Sequence, residues 1–175
     1  MTALPIGLLL NGQAARATTY FTAETVRLAL FPGATHFTDR SLVLSKPQMA
    51  AIAKASGSRG ATPQLVAADA IGPGGKLGTL LIDKVYGKHE FITYALALDP
   101  AGAVKGLEIM DYRESYGDEI RLPKWRAQFA GKSSGDPLKI DKQIKNISGA
   151  TLSCVHVTEG VARLLATYAT VLQHA

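Results

Sequence analysis

Three runs of sequence decide the fold: Thr79–Tyr86 (TLLIDKVY), Phe91–Leu98 (FITYALAL) and Val104–Tyr112 (VKGLEIMDY). Each is rich in β-branched, aromatic and alternating apolar residues, the pattern of a strand packed on at least one face. Asp99-Pro100-Ala101-Gly102 carries turn chemistry between the last two, and Gly87-Lys88-His89 joins the first two. Three sequential antiparallel strands are therefore expected at the centre of the molecule. Helical patterns lie on both sides of them in sequence. The expectation is an α+β architecture: a small antiparallel sheet flanked by helices that cover one face or end.

Towards the N-terminus, Thr22 is placed to cap a short helix running through Leu30, and Phe31-Pro32-Gly33-Ala34 stops it. Ser41 to Leu44 reads as a brief extended piece. Ser45-Lys46-Pro47 opens a second helix, with Pro47 in the first turn where its missing N–H is harmless, and Ser56-Gly57 closes it. Leu65-Val66-Ala67 is a further strand candidate. The glycine-rich run Gly72 to Gly78 fails the dinucleotide-loop pattern because Leu77 stands at its third glycine. Gly131-Lys132-Ser133 fails the Walker pattern because Arg126 stands at its first. Both read as turns.

Towards the C-terminus, Leu122 to Phe129 is a helical piece containing Trp125, and Gly131 to Pro137 is loop. After the turn Asn146-Ile147-Ser148-Gly149-Ala150-Thr151-Leu152-Ser153, a helical stripe runs through Cys154, Val157, Val161, Leu164, Leu165, Tyr168, Val171 and Leu172. This long C-terminal helix should lay its apolar face on the sheet.

Composition bounds the function. The 175 residues, 47% hydrophobic and 19% charged, fit one folded domain with a real core. A single cysteine, Cys154, excludes an internal disulfide and a multi-cysteine metal site, and the four histidines show no ligand spacing. No apolar run approaches the ~20 residues of a membrane span. Leu4 to Leu10 is apolar and Ala15-Arg16-Ala17 resembles a small-x-small cleavage site. Residues 1–17 are thus read as the remnant of an export signal and 18–175 as a single domain working in the periplasm or otherwise outside the cytoplasm. Between Arg121 and Lys145 stand seven basic side chains against two acidic ones, an excess as large as the whole chain's net charge of +5. Such a collar suits an anionic cofactor or partner. It runs directly into the 146–153 turn.

Two readings of that turn compete. Serine and threonine cap helices and glycine shapes the entry, which would make Ser148-Gly149-Ala150-Thr151 purely structural. Alternatively, Thr151 and Ser153 set hydroxyls at the anion-attracting end of the helix. A polar cluster, Tyr112-Arg113-Glu114-Ser115-Tyr116-Gly117, follows the last strand and can return to the same edge of the sheet.

Ser148-Gly149-Ala150-Thr151-Leu152-Ser153 resembles the flavinylation motif of FMN-binding domains. Such domains occur in the flavin-carrying subunits of the Rnf and sodium-translocating NADH:quinone oxidoreductase complexes and in small exported relatives. Tyr112-Arg113-Glu114 with Gly117 is similar to the family's glutamate-and-glycine segment, Gly135-Asp136-Pro137-Leu138 to its loop before the motif, and Phe31-Pro32-Gly33-Ala34 to the small relatives. The resemblance implies FMN joined through its phosphate to Thr151, installed from FAD by a magnesium-dependent flavin transferase. It also implies a pocket built from Ser148, Gly149, Ala150, Leu152, Ser153, Glu114, Tyr112 and Gly117. Trp125, Tyr112 and Tyr116 are candidates to stack on the ring. The family's aspartate three residues before the serine is Lys145 here, a residue that could pair with the phosphate or leave a pocket binding FMN without a covalent bond. The resemblance further implies membrane or periplasmic redox partners. No nucleic-acid partner is expected.

No general acid, nucleophile or metal constellation is evident, so an electron carrier is preferred over a stand-alone enzyme. The alternatives are a reductase subunit with non-covalent FMN and a cofactor-free module binding an anion or partner.

Overall fold

In the computed structural model, which describes residues 18–58 and 62–173, the central strands lie where the alternation places them. They are β5 (Gly75–Tyr86), β6 (Phe91–Leu98) and β7 (Val104–Tyr112). The sheet is larger than three strands. Among the described residues it is seven-stranded, with β1 (Thr18–Thr19) beside β7, β4 (Gln64–Gly72) beside β5, and β2 (His36–Asp39) and β3 (Leu42–Val43) both on β4. Every pairing is antiparallel. The reading of residues 1–17 as an export remnant lies outside the described residues.

Both N-terminal helices begin and end on the predicted signals. Helix α1 (Ala23–Leu30) starts at Thr22, whose side chain accepts from Thr25 N in a capping box. Helix α2 (Lys46–Ser56) starts at Ser45 in the same way, with Pro47 in its first turn, and ends at Gly57 in the left-handed conformation. After β7 come a 3₁₀ turn (Asp118–Arg121), the short α3 (Pro123–Arg126) and a second 3₁₀ turn (Ala127–Phe129). The long α4 (Thr151–Thr167) closes the fold and relaxes into a π-helical turn at Tyr168–Leu172.

The helices cover both faces of the sheet, not one face or end. Side chains alternate along β6: Ile92, Tyr94, Leu96 and Leu98 join one core with Leu81, Val85, Val157, Val161 and Leu164. Ala95 and Ala97 join another with Val26, Leu30, Phe31 and Leu80. The strand is almost wholly buried, so period two sends large residues under α4 and α2 and small ones under α1. The alanines leave the room that α1 fills.

The meander sets what meets at the functional edge. With β5, β6 and β7 antiparallel and consecutive, the β5–β6 turn and the end of β7 lie at the same end of the sheet. The first turn of α4 comes to that same end, where Ala150 packs on Gly117.

Candidate functional site

At that end lies a cleft of about 390 Å³ lined by three segments: Lys88 and His89 from the β5–β6 turn, Glu114, Ser115 and Tyr116 after β7, and Gly149 to Ser153 at the start of α4. A cleft of this size falls within the ordinary range for a small-molecule site.

The start of α4 is not a capped helix end. Its N-cap is Ala150, which offers no side-chain hydrogen bond. The first helical bond runs from Cys154 N to Ala150 O at 2.9 Å, so the amides of Thr151, Leu152 and Ser153 have no partner inside the helix. Thr151 occupies the first helical position and its Oγ1 accepts from Asn146 Nδ2 at 3.0 Å. The structural reading of Ser148 and Thr151 as capping residues therefore fails. The hydroxyls do other things, and the anion-attracting end of the helix is left open to the cleft.

The walls are fixed by contacts of specific kinds. Glu114 Oε1 accepts from three successive backbone N–H groups, those of Lys88, His89 and Glu90, at 2.5, 2.7 and 3.0 Å. Partial burial pushes its carboxyl upward, but these three donors together outweigh that and hold it below the usual glutamate value. Its carboxylate is thereby committed to the β5–β6 turn. A Cβ at Gly87 would meet the same Oε1, so any larger residue there would have to displace the carboxylate. Behind the cleft, buried Tyr112 donates from Oη to Tyr116 O at 2.6 Å and lies 3.2 Å from Ser153 Oγ. The phenol's one proton goes to the carbonyl, so Ser153 is the donor in the second bond. Burial raises the pKa of the Tyr112 phenol, while the bond from Ser153 works against that rise. Gly117 (φ +90°) closes the corner, its missing side chain replaced by Ala150.

The predicted site residues thus divide between two places. Thr151, Gly149, Ala150, Leu152, Ser153 and Glu114 line the cleft, with Tyr112 and Gly117 as its supports. Ser148 is exposed beside it. Trp125 and Lys145 line a second hollow of about 280 Å³, apolar in character, with Leu122, Lys124, Gln128 and Ile147. The turn 145–150 stands between them as a ridge. Trp125 is only 5% exposed and its indole N–H donates to Lys145 O at 2.8 Å. Tyr116, at 80% exposed, is the aromatic residue at the cleft itself. Arg113 turns to Asp111 at 2.9 Å and stays out of the cleft.

Sequence reasoning passed over Lys88, His89 and Asn146. The first two were read only as a turn, yet the meander topology alone carries that turn to the end of β7. Asn146 had no such signal.

Residues 87–166 match the model of the FMN-binding domain. Over those residues the chain is similar to the FMN-binding family. This match begins at the β5–β6 turn and ends within α4, so every residue lining the cleft falls inside the FMN-binding domain. Among solved structures, the fold is similar to that of NqrC from Shewanella oneidensis, with a TM-score of 0.52 and 16% sequence identity over 86% of this chain and 75% of that one. No curated protein sequence matches the chain.

FMN is the cofactor of the FMN-binding domain, and the cleft's chemistry fits it. Unspent amides at the start of α4 and the basic side chain of Lys88 suit a phosphate. Gly149 (φ +83°) has no atom within 4 Å of where a Cβ would stand, which lets the backbone approach a ligand closely.

Proposed function

We propose that this protein is an FMN-carrying electron-transfer protein whose flavin is joined through its phosphate to Thr151. The observation that carries this reading is the state of Thr151. It lies at the mouth of an uncapped helix, in a cleft of ligand size, with its hydroxyl held by a neighbouring side chain and not spent on the helix.

Bound FMN supplies one- and two-electron redox chemistry, and the chain's residues hold and tune it. Lys88 and the amides of residues 151–153 balance the phosphate charge. Glu114 keeps Lys88 and His89 in place by fixing their backbone. Leu152 and Tyr116, both exposed at the rim, offer apolar surface to a planar ring. In this reading the protein is a carrier that exchanges electrons with protein partners, the redox chemistry belonging to the flavin. The likeness in fold to NqrC supports partners in a membrane redox chain. No helix among the described residues is long and apolar enough to cross a membrane. Work outside the cytoplasm is part of the proposal and rests on the residues before Thr18. Cell fractionation tests it, and a wholly cytoplasmic pool would refute it.

The central test is co-expression with a flavin transferase followed by denaturing electrophoresis. Wild type should give a fluorescent flavin band and Thr151→Ala none. Colour that disappears on denaturation would replace the covalent reading with non-covalent FMN. Equal absence of flavin from both native proteins would sink the reading altogether.

A further inference from the structure

We infer that Asn146 is the residue that presents the Thr151 hydroxyl for modification, an inference that rests on the flavin attachment proposed above. The carboxamide of Asn146 makes two hydrogen bonds in opposite senses. Its Oδ1 accepts from Ile147 N at 2.9 Å, and its Nδ2 donates to Thr151 Oγ1 at 3.0 Å. The first bond fixes which end of the amide faces which way. A backbone N–H can only donate, so the oxygen must face Ile147 and the NH₂ must face Thr151. Thr151 Oγ1 is therefore an acceptor towards Asn146, and its proton and remaining lone pair are free for the cleft.

Asn146 is itself held from both sides. Lys145 N donates to Gln128 Oε1 at 2.7 Å, and Lys145 O accepts from Trp125 Nε1 at 2.8 Å. Ile147 packs against the main core, and Ala150 N returns to Ile147 O at 3.0 Å. The ridge between the two hollows is thus a clamped loop. The side chain projecting from it to the reactive hydroxyl is that of Asn146, while Lys145 faces the apolar hollow on the other flank. The acid that the family motif carries at position 145 is absent here, and the polar contact to Thr151 comes from the next residue.

In the transfer, Thr151 Oγ1 attacks the flavin-side phosphorus of FAD. The Oγ1–P bond forms as the pyrophosphate P–O bond breaks, AMP leaves, and the hydroxyl proton passes to a base of the transferase. Asn146 takes no proton. As a positioning residue it selects one orientation of the hydroxyl and stabilises charge growing on the oxygen.

The test is the initial rate of covalent flavin attachment, followed by intact mass with purified transferase, FAD and magnesium. Asn146→Ala should attach flavin about ten-fold more slowly, the worth of one hydrogen bond of roughly 1.4 kcal/mol. Asn146→Asp separates positioning from loop structure, since its carboxylate can still accept from Ile147 N but cannot donate to Thr151. It should be slowed like the alanine variant. Attachment at the wild-type rate in either variant would overturn the inference. Wild type that attaches no flavin would instead bring down the reading on which it rests. Thermal melting of both variants is run alongside. A rate loss that persists in a variant melting at the wild-type temperature belongs to Thr151, and one that vanishes when assayed at equal folded fraction refutes the role.

Discussion

At the scale of single residues, the corner between Gly117 and Ala150 ties the site to the fold. Gly117 sits at φ +90°, a backbone state that side chains disfavour, and a Cβ there would collide with Ala150 and stand 2.9 Å from Tyr112 Oη. Gly149 has a similar φ of +83° but open space around it. The pair separates two costs that are usually confounded. Gly149→Ala should lose only the left-handed penalty, about 1–2 kcal/mol. Gly117→Ala adds overpacking and should lose about 2–5 kcal/mol in total. It should also slow covalent flavin attachment, because Ala150 adjoins Thr151. Urea unfolding of both variants measures the difference; equal losses would mean that Ala150 yields freely and the corner is not rigid. At the same scale, Cys154 is buried beneath the first turn of α4, and burial raises its thiol pKa, consistent with packing and not reactivity.

At the scale of elements, the β5–β6 turn is the part of the cleft whose order depends on pH. Glu114 holds it through three amides, and its folded pKa lies below that of the unfolded chain. The sign follows from linkage: the stabilisation is complete above the unfolded pKa and is lost as pH falls through the lowered folded value. The amides of Lys88, His89 and Glu90 should therefore exchange slowly at neutral pH and lose protection in that acidic window. In Glu114→Ala, which removes the acceptor, they should be fast at every pH. Hydrogen exchange read residue by residue checks this, and an Ala variant that retained protection would show that the turn holds itself. Elements were legible in the sequence where one local rule governs them. Capping boxes at Thr22 and Ser45, the left-handed stop at Gly57 and the period-two runs of β5 to β7 are rules of that kind. The short strand His36–Asp39 was not legible: it is mostly exposed and polar, and only pairing with β4 makes it a strand. The split of Trp125 and Lys145 from Thr151 was hidden for a related reason. Nearness in sequence says nothing about which flank of a ridge a side chain takes.

At the scale of the whole molecule, α4 must be held along its length for its first turn to stay at the cleft. A buried polar cluster under its middle does this. Arg163 Nη2 meets Asp83 Oδ2 at 2.5 Å, with both side chains only 9% exposed, and fully buried Tyr94 donates to the same oxygen at 3.1 Å. Burial drives the Tyr94 phenol well above its usual pKa, so it remains a donor across the working range. Gly160 makes room for it, since a Cβ there would strike Tyr94 Oη. The glycine costs α4 about 1 kcal/mol of helix propensity, which the docking offsets. A cluster of this kind is expensive to break on one side and cheap to replace whole, because the penalty lies in the charge left behind. Asp83→Ala should lose about 3–5 kcal/mol in urea unfolding, since it strands Arg163 and takes the acceptor from Tyr94. Adding Arg163→Met to that variant should restore part of the loss by removing the stranded charge. The double variant should also attach flavin faster than Asp83→Ala, because α4 regains its seat and Thr151 its place at the end of β7. If the double variant were less stable than Asp83→Ala alone, Arg163 would be contributing through its packing along α4 and not through its charge, and the electrostatic account of how the helix is docked would fall.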